Sequence, residues 1–123
     1  MLKLFNTKSR KIEEFTPINN DIVTFYSCGP TVYNYYHIGN LRNAIFNDTL
    51  RRSLELHGYT VKHAINITDI GHLSSDADEG HDKLEESAKE KGKSVLEIAE
   101  HYTEAYKTDM REINNLEPNA YTS

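Results

Sequence analysis

Cys28-Gly29-Pro30-Thr31-Val32-Tyr33-Asn34-Tyr35-Tyr36-His37-Ile38-Gly39-Asn40 joins the end of a strand pattern to the start of a helix pattern, and its reading decides the fold. Upstream, Ile22-Val23-Thr24-Phe25-Tyr26-Ser27-Cys28 is rich in β-branched and aromatic residues, so a strand is expected that stops at Gly29-Pro30. Downstream of a loop over 31–40, apolar residues recur at Leu41, Ile45, Leu50 and Leu54 with near-helical spacing, and Gly58 stands where a C-terminal cap belongs. That spacing predicts a helix of about five turns. Thr60 to Thr68 reads as a second strand. Strand, loop, helix, strand is normally a right-handed parallel crossover, which makes the expected class α/β.

Working outward, Leu2 to Asn6 and Lys11 to Phe15 alternate around the polar stretch Thr7-Lys8-Ser9-Arg10, the pattern of a small hairpin beside the main sheet. Pro17 to Asp21 reads as a turn. Ser74-Ser75-Asp76-Ala77-Asp78-Glu79-Gly80 reads as a polar, acidic loop that lacks the full calcium-loop pattern. Beyond it, Ser94 followed by Glu97 fits a capping box, and Val95, Ile98, Tyr102, Tyr106, Met110 and Ile113 lie near one helical stripe. Residues 117–123 carry no clear stop or element signal. The expected organisation is a hairpin and turn over 1–20, a strand-loop-helix-strand site over 21–73, and an acidic loop with helical extension over 74–123.

The chain has 123 residues, enough for one domain with a real core, and its 27% charged content is near the soluble average. A formal charge of -5 excludes a broad electrostatic grip on nucleic acid, because such binding needs Lys and Arg on phosphates. No apolar run approaches the roughly 20 residues that span a bilayer, and Met1-Leu2-Lys3-Leu4 starts a strand pattern rather than a leader. The reading is a soluble, cytoplasmic protein with no membrane partner. Its single cysteine, Cys28, has no internal disulfide partner, so it is a buried small hydrophobe, a metal ligand or a nucleophile. His57, His63, His72, His81 and His101 have no metal-ligand spacing with it.

Ligands of open α/β sheets bind beyond the carboxyl ends of strands, and a helix N-terminus offers free N–H groups and a positive dipole end to phosphate. His37 and Asn40 stand at that entry and can donate to phosphate oxygens, while Gly39 leaves the backbone open to a nucleotide. The chemistry served is electrostatic stabilisation.

The order Cys-Gly-Pro-Thr-Val-Tyr, then His37-Ile38-Gly39-Asn40, then a helix with Arg42, then Asn66-Ile67-Thr68-Asp69 resembles the class I aminoacyl-tRNA synthetases, and among them the cysteinyl enzymes. The likeness extends from Met1-Leu2-Lys3-Leu4-Phe5-Asn6-Thr7 through Asp69-Ile70-Gly71-His72-Leu73 to Asp76–Gly80. It implies the first half of a Rossmann-like (HUP-type) nucleotide-binding domain, in which ATP, with Mg2+, and cysteine give cysteinyl-adenylate, and the cysteinyl group then passes to tRNA(Cys). His37-Ile38-Gly39-Asn40 matches the tetrapeptide usually written HIGH, with Asn40 in its last place, where an amide still donates to phosphate but carries no charge; a lower turnover is the expected cost. Cys28 matches a zinc ligand whose metal would sense the substrate thiol, since soft sulfur ligation separates cysteine from serine where shape does not. Gly29, Thr31 and Thr68 match positions near the bound amino acid, and Asp69 the place of its amine, although the three polar side chains equally suit caps or turns.

The resemblance places the other zinc ligands, a lysine-rich loop, the second half of the sheet and the anticodon-binding helices beyond residue 123. Two rival readings are an ATP-dependent ligase of the mycothiol-pathway type, and a short, non-catalytic module that binds nucleotide or a partner. With its partner layer missing, the chain is expected to expose apolar surface and a strand edge, and so to be marginally stable or to self-associate.

Overall fold

A computed structural model describes residues 1–68 and 94–122. The expected acidic loop at Ser74–Gly80, Asp69, His72 and His81 lie outside the described residues. Strands β1 (Lys3–Asn6) and β2 (Lys11–Glu14) form an antiparallel hairpin, with Leu4 opposite Glu13 and Phe5 opposite Ile12. The turn between them is closed by Arg10 N–H donating to the Asn6 carbonyl, with Arg10 at φ 56°.

The second sheet runs β3 (Ile22–Thr31), β4 (Thr60–Thr68), β5 (Ala120–Thr122) in that order, all parallel. Helix α1 (Ile38–Leu56) connects β3 to β4, as the crossover pattern requires, and α2 (Val95–Glu112) precedes β5. The sheet is mixed with helices in the manner of a Rossmann-like half-domain.

Two boundaries differ from expectation. The strand does not stop at Gly29-Pro30. Cys28 pairs with Asn66 and Thr31 with Thr68, so β3 spends three steps where β4 spends two, and one extra residue is accommodated as a bulge. Pro30, which has no N–H to give a ladder, sits in that bulge, where proline is tolerated. The helix also begins before residue 41, because His37 serves as its N-cap. At its other end Gly58 follows the cap residue His57 with φ +90°, a backbone state that glycine enters without strain.

A third strand, β5, was not expected. Its three residues are too few for periodicity to show. It is pinned to β4 by a reciprocal pair: His63 N–H donates to Asn119 Oδ1 and Asn119 N–H to the His63 carbonyl, both at 2.8 Å. The approach to β5 is fastened to α1 by Asp48, which accepts from Leu116 N–H at 2.8 Å, and by Arg51 and Arg52, which donate to the carbonyls of Glu117 and Asn114.

The core has two parts. Val23, Leu54 and Val61 pack under α1 with Leu2, Phe15, Phe25, Leu50 and Tyr59, which docks the hairpin. Val32, Ile67, Ile98, Ala99 and Tyr102 pack under α2 with Tyr33, Val95 and Tyr121. The expected stripe of α2 is therefore its buried face, with Tyr106 and Met110 also buried. The α1 stripe is only partly so, since Leu54 is buried but Ile45 is 49% exposed.

Both clusters draw on odd-numbered residues of β4. Thr60 and Lys62, with Thr24, Tyr26 and Cys28 of β3, are exposed. A parallel sheet is normally covered on both faces, and among the described residues helices pack on one.

Candidate active site

The carboxyl ends of β3 and β4 are locked together by side chains. Gly29 N–H, freed from the ladder by the bulge, donates to Asn66 Oδ1 at 3.1 Å, and Asn66 Nδ2 donates onward to Thr68 Oγ1 at 3.1 Å. Val32 N–H closes the corner on the Thr68 carbonyl. Gly29 is dictated by space rather than by flexibility: a Cβ there would lie 2.0 Å from the Asn66 carbonyl oxygen and 2.6 Å from Ile65 Cγ2. Gly29, Thr31 and Thr68 thus share one corner, with Asn66 as the brace between them. Cys28, beside this corner, is a free, exposed thiol rather than a buried hydrophobe. Strand alternation would have predicted that, because Ser27 points into the core.

The second part of the site is the N-terminus of α1. His37 Nδ1 accepts from Gly39 N–H at 3.0 Å, and Asn40 Oδ1 accepts from His37 N–H at 3.3 Å. These two bonds form a reciprocal capping box built from an imidazole and an amide instead of the usual hydroxyl and carboxylate. The consequence is chemical. A nitrogen that accepts has no proton, so the neutral His37 ring carries its hydrogen on Nε2, the atom directed away from the cap. The first turn of α1 holds no acidic residue, so nothing there opposes the positive end of the dipole.

Gly39 belongs to the same device, since a Cβ at that position would come within 2.9 Å of His37 Cε1 and 3.2 Å of Nδ1. The absent side chain leaves room for the imidazole itself. Between the two parts runs the loop ending in Tyr36, whose hydroxyl is held above its ordinary pKa by burial and by the neighbouring Cys28. Cys28 and Tyr36, the residue preceding His37, line one pocket.

Beneath the corner lies a pair that the sequence did not announce. Ser27 Oγ and His63 Nε2 are 2.8 Å apart, both residues are buried, and the His63 ring stacks on Phe25 at 4.5 Å. His63 Nδ1 has no partner. Burial, reinforced by Arg51 and partly offset by Asp48, holds its pKa below the ordinary value. Its charge-free form is therefore part of the fold. As pH falls below about 6.5, the unfolded chain takes up a proton that the folded chain refuses, so stability is lost. Above that pH the contribution is complete and flat. Urea midpoints should thus fall between pH 7.5 and pH 5 more in the wild type than in His63→Gln, which retains a polar partner for Ser27. Parallel pH profiles in the two proteins would show that His63 does not titrate in this way.

Among the described residues no group of three His, Cys, Asp or Glu side chains is placed to hold a metal ion. Cys28 supplies one donor, short of the three or four protein ligands that zinc takes, so these residues do not by themselves fit a zinc site. Among the described residues no helix is long and apolar enough to cross a membrane.

Comparison with known proteins adds a family likeness. The family of tRNA synthetases class I (C) catalytic domains matches residues 14–123. The chain is 51% identical over 118 residues to a cysteine-tRNA ligase of Zymomonas mobilis, covering 96% of this chain and 23% of the relative. It is 54% identical over 117 residues to cysteine-tRNA ligase 1 of Burkholderia lata, covering 95% of this chain and 25% of that protein. A cysteine-tRNA ligase of Treponema denticola is 55% identical over 113 residues, with 92% of this chain and 23% of the relative covered. The chain spans about a quarter of the length of the curated relatives it matches.

Proposed function

This chain belongs to the family of class I (C) tRNA synthetase catalytic domains, and from that premise we propose that it forms the ATP- and cysteine-facing part of a cysteine-tRNA ligase. The observation that carries the proposal is the capping box of His37 and Asn40, which leaves His37 Nε2–H as a donor at the helix N-terminus that follows the strand carrying the exposed thiol of Cys28. In this reading ATP, accompanied by Mg2+, lays its phosphates at the start of α1, where His37 and Asn40 donate to them and the free N–H groups of the first turn add a positive field. Attack of the cysteine carboxylate on the α-phosphorus expels pyrophosphate, so negative charge shifts onto oxygens that these donors already face. Gly29, Thr31 and Thr68 line the amino-acid corner, and Asp69 is assigned the substrate amine.

Cys28 is proposed as one of several zinc ligands, the others coming from outside this chain, with the metal supplying soft ligation of the substrate thiol. Transfer to tRNA(Cys), a cytoplasmic location and the division of the chain at residues 20 and 73 complete the proposal. Self-association of the isolated chain through exposed apolar surface and a strand edge belongs to it as well.

Two measurements test it in sequence. Titrating ATP into the chain should shift the amide resonances of Gly39 and Asn40, and their indifference at millimolar ATP would remove the phosphate site. Cysteine-dependent exchange of pyrophosphate into ATP, assayed on the full product of the reading frame, then tests activation. Binding without exchange would leave a non-catalytic nucleotide-binding module in its place.

A further inference from the structure

His37 follows directly on two tyrosines, and both are held by α2, a helix that lies far away in sequence. Tyr35 Oη is 3.1 Å from His101 Nε2, a contact between residues 66 apart. The Tyr35 ring also meets Tyr102 edge-on with centroids 4.9 Å apart, and the His101 ring at 5.9 Å. Tyr36 meets Tyr106 in the same manner at 4.9 Å. At the loop's start, Val32 is fully buried against the α2 residues Ile98, Ala99 and Tyr102.

Ordinary packing accounts for Val32, Tyr102 and Tyr106, which are buried. It does not account for Tyr35 and His101. Tyr35 is 59% exposed and His101 is exposed too. A hydrogen bond between wet groups adds little to stability, because water competes for both partners. Its effect is geometric: it fixes the path of the backbone two residues before the capping box. The arm of that box nearest the loop, His37 N–H to Asn40 Oδ1, is also its longer one at 3.3 Å. A small drift of residues 35–36 would break that arm first and free the His37 backbone. The ring would then lose its hold on Gly39 N–H, and with it the reason for Nε2 to keep the proton.

We infer that His101 is a positioning residue for His37, acting through Tyr35 to fix the tautomer and aim of its imidazole. The consequence for catalysis rests on the function proposed above, whereas the effect on the ring does not. His101 need not touch substrate.

The test uses the 123-residue chain and three variants, Tyr35→Phe, His101→Ala and His101→Gln. Long-range proton-nitrogen NMR spectra of the His37 ring, assigned by the loss of its signals in His37→Gln, read the tautomer directly. The wild type should show an unprotonated Nδ1 and a protonated Nε2. Tyr35→Phe and His101→Ala should move both nitrogens toward averaged values and raise Gly39 amide exchange about fivefold, what the loss of one net hydrogen bond permits. Melting temperatures should stay close to wild type. His101→Gln, which retains a hydrogen-bonding group, should restore the wild-type spectrum.

Unchanged nitrogen shifts and Gly39 exchange in both Tyr35→Phe and His101→Ala would overturn the inference. So would changes that merely follow global destabilisation, or a His101→Gln protein no better than His101→Ala. If ATP fails to bind the wild type while the tautomer responds as described, the proposed function falls and the positioning role stands.

Discussion

Replacing His37 with alanine is expected to lower ATP-dependent adenylate formation by a factor of about 100 to 1,000 while leaving the chain folded. The rate loss is the usual effect of removing one preorganised donor from a site where negative charge develops, the role the proposed function gives to Nε2–H, since Gly39 N–H occupies the other ring nitrogen. The substitution also deletes an N-cap, which costs about 1 kcal/mol, a modest part of the several kcal/mol that hold a small domain together. Function and stability can be separated with His37→Asn. Asparagine is a good N-cap but too short to place a donor where Nε2 stands, so the melting temperature should recover and the exchange rate should not. The pair of measurements is pyrophosphate exchange on the full protein and a thermal melt of each variant. Exchange within threefold of wild type in His37→Ala would remove His37 from the phosphate site.

The largest structural effect is expected at Gly29. In Gly29→Ala the added methyl would sit 2.0 Å from the Asn66 carbonyl oxygen and 2.6 Å from Ile65 Cγ2, both on β4. The first of these is backbone and cannot rotate away, so β3 and β4 must separate at the corner. Overpacking of this kind costs about 1–3 kcal/mol and occasionally more. Separation would also stretch the Gly29 N–H bond to Asn66 and disturb the Thr68 hydroxyl that Asn66 holds. For a chain of this size the melting temperature should fall by about 10 °C. Gly58→Ala supplies the control: its φ of +90° makes alanine strained, but no atom lies within 4 Å of the new methyl. Its penalty should be about 1–2 kcal/mol, smaller than that of Gly29→Ala, and ATP binding should be untouched. The reverse order of melting temperatures would show that the strands are not in close contact at Gly29.

Local periodicity and local caps were legible in the sequence. The β4 limits at Thr60 and Thr68, the Ser94 capping box with Glu97, the buried stripe of α2 and the helix stop at Gly58 all follow from neighbours within a turn or two. The motif residues were legible too, since Cys28, Gly29, His37, Gly39 and Asn40 fall where a strand end meets a helix start. Tertiary structure decided the rest. It carried β3 through Gly29-Pro30 as a bulge, because the register against β4 demands an extra residue there. It turned Ala120–Thr122 into a strand, since three residues have no periodicity of their own and become a strand only when β4 and the Asn119 bonds hold them. It also paired Ser27 with His63 and Tyr35 with His101 across 36 and 66 residues. Such contacts depend on which distant segments meet, and a chain read one window at a time holds no signal of that.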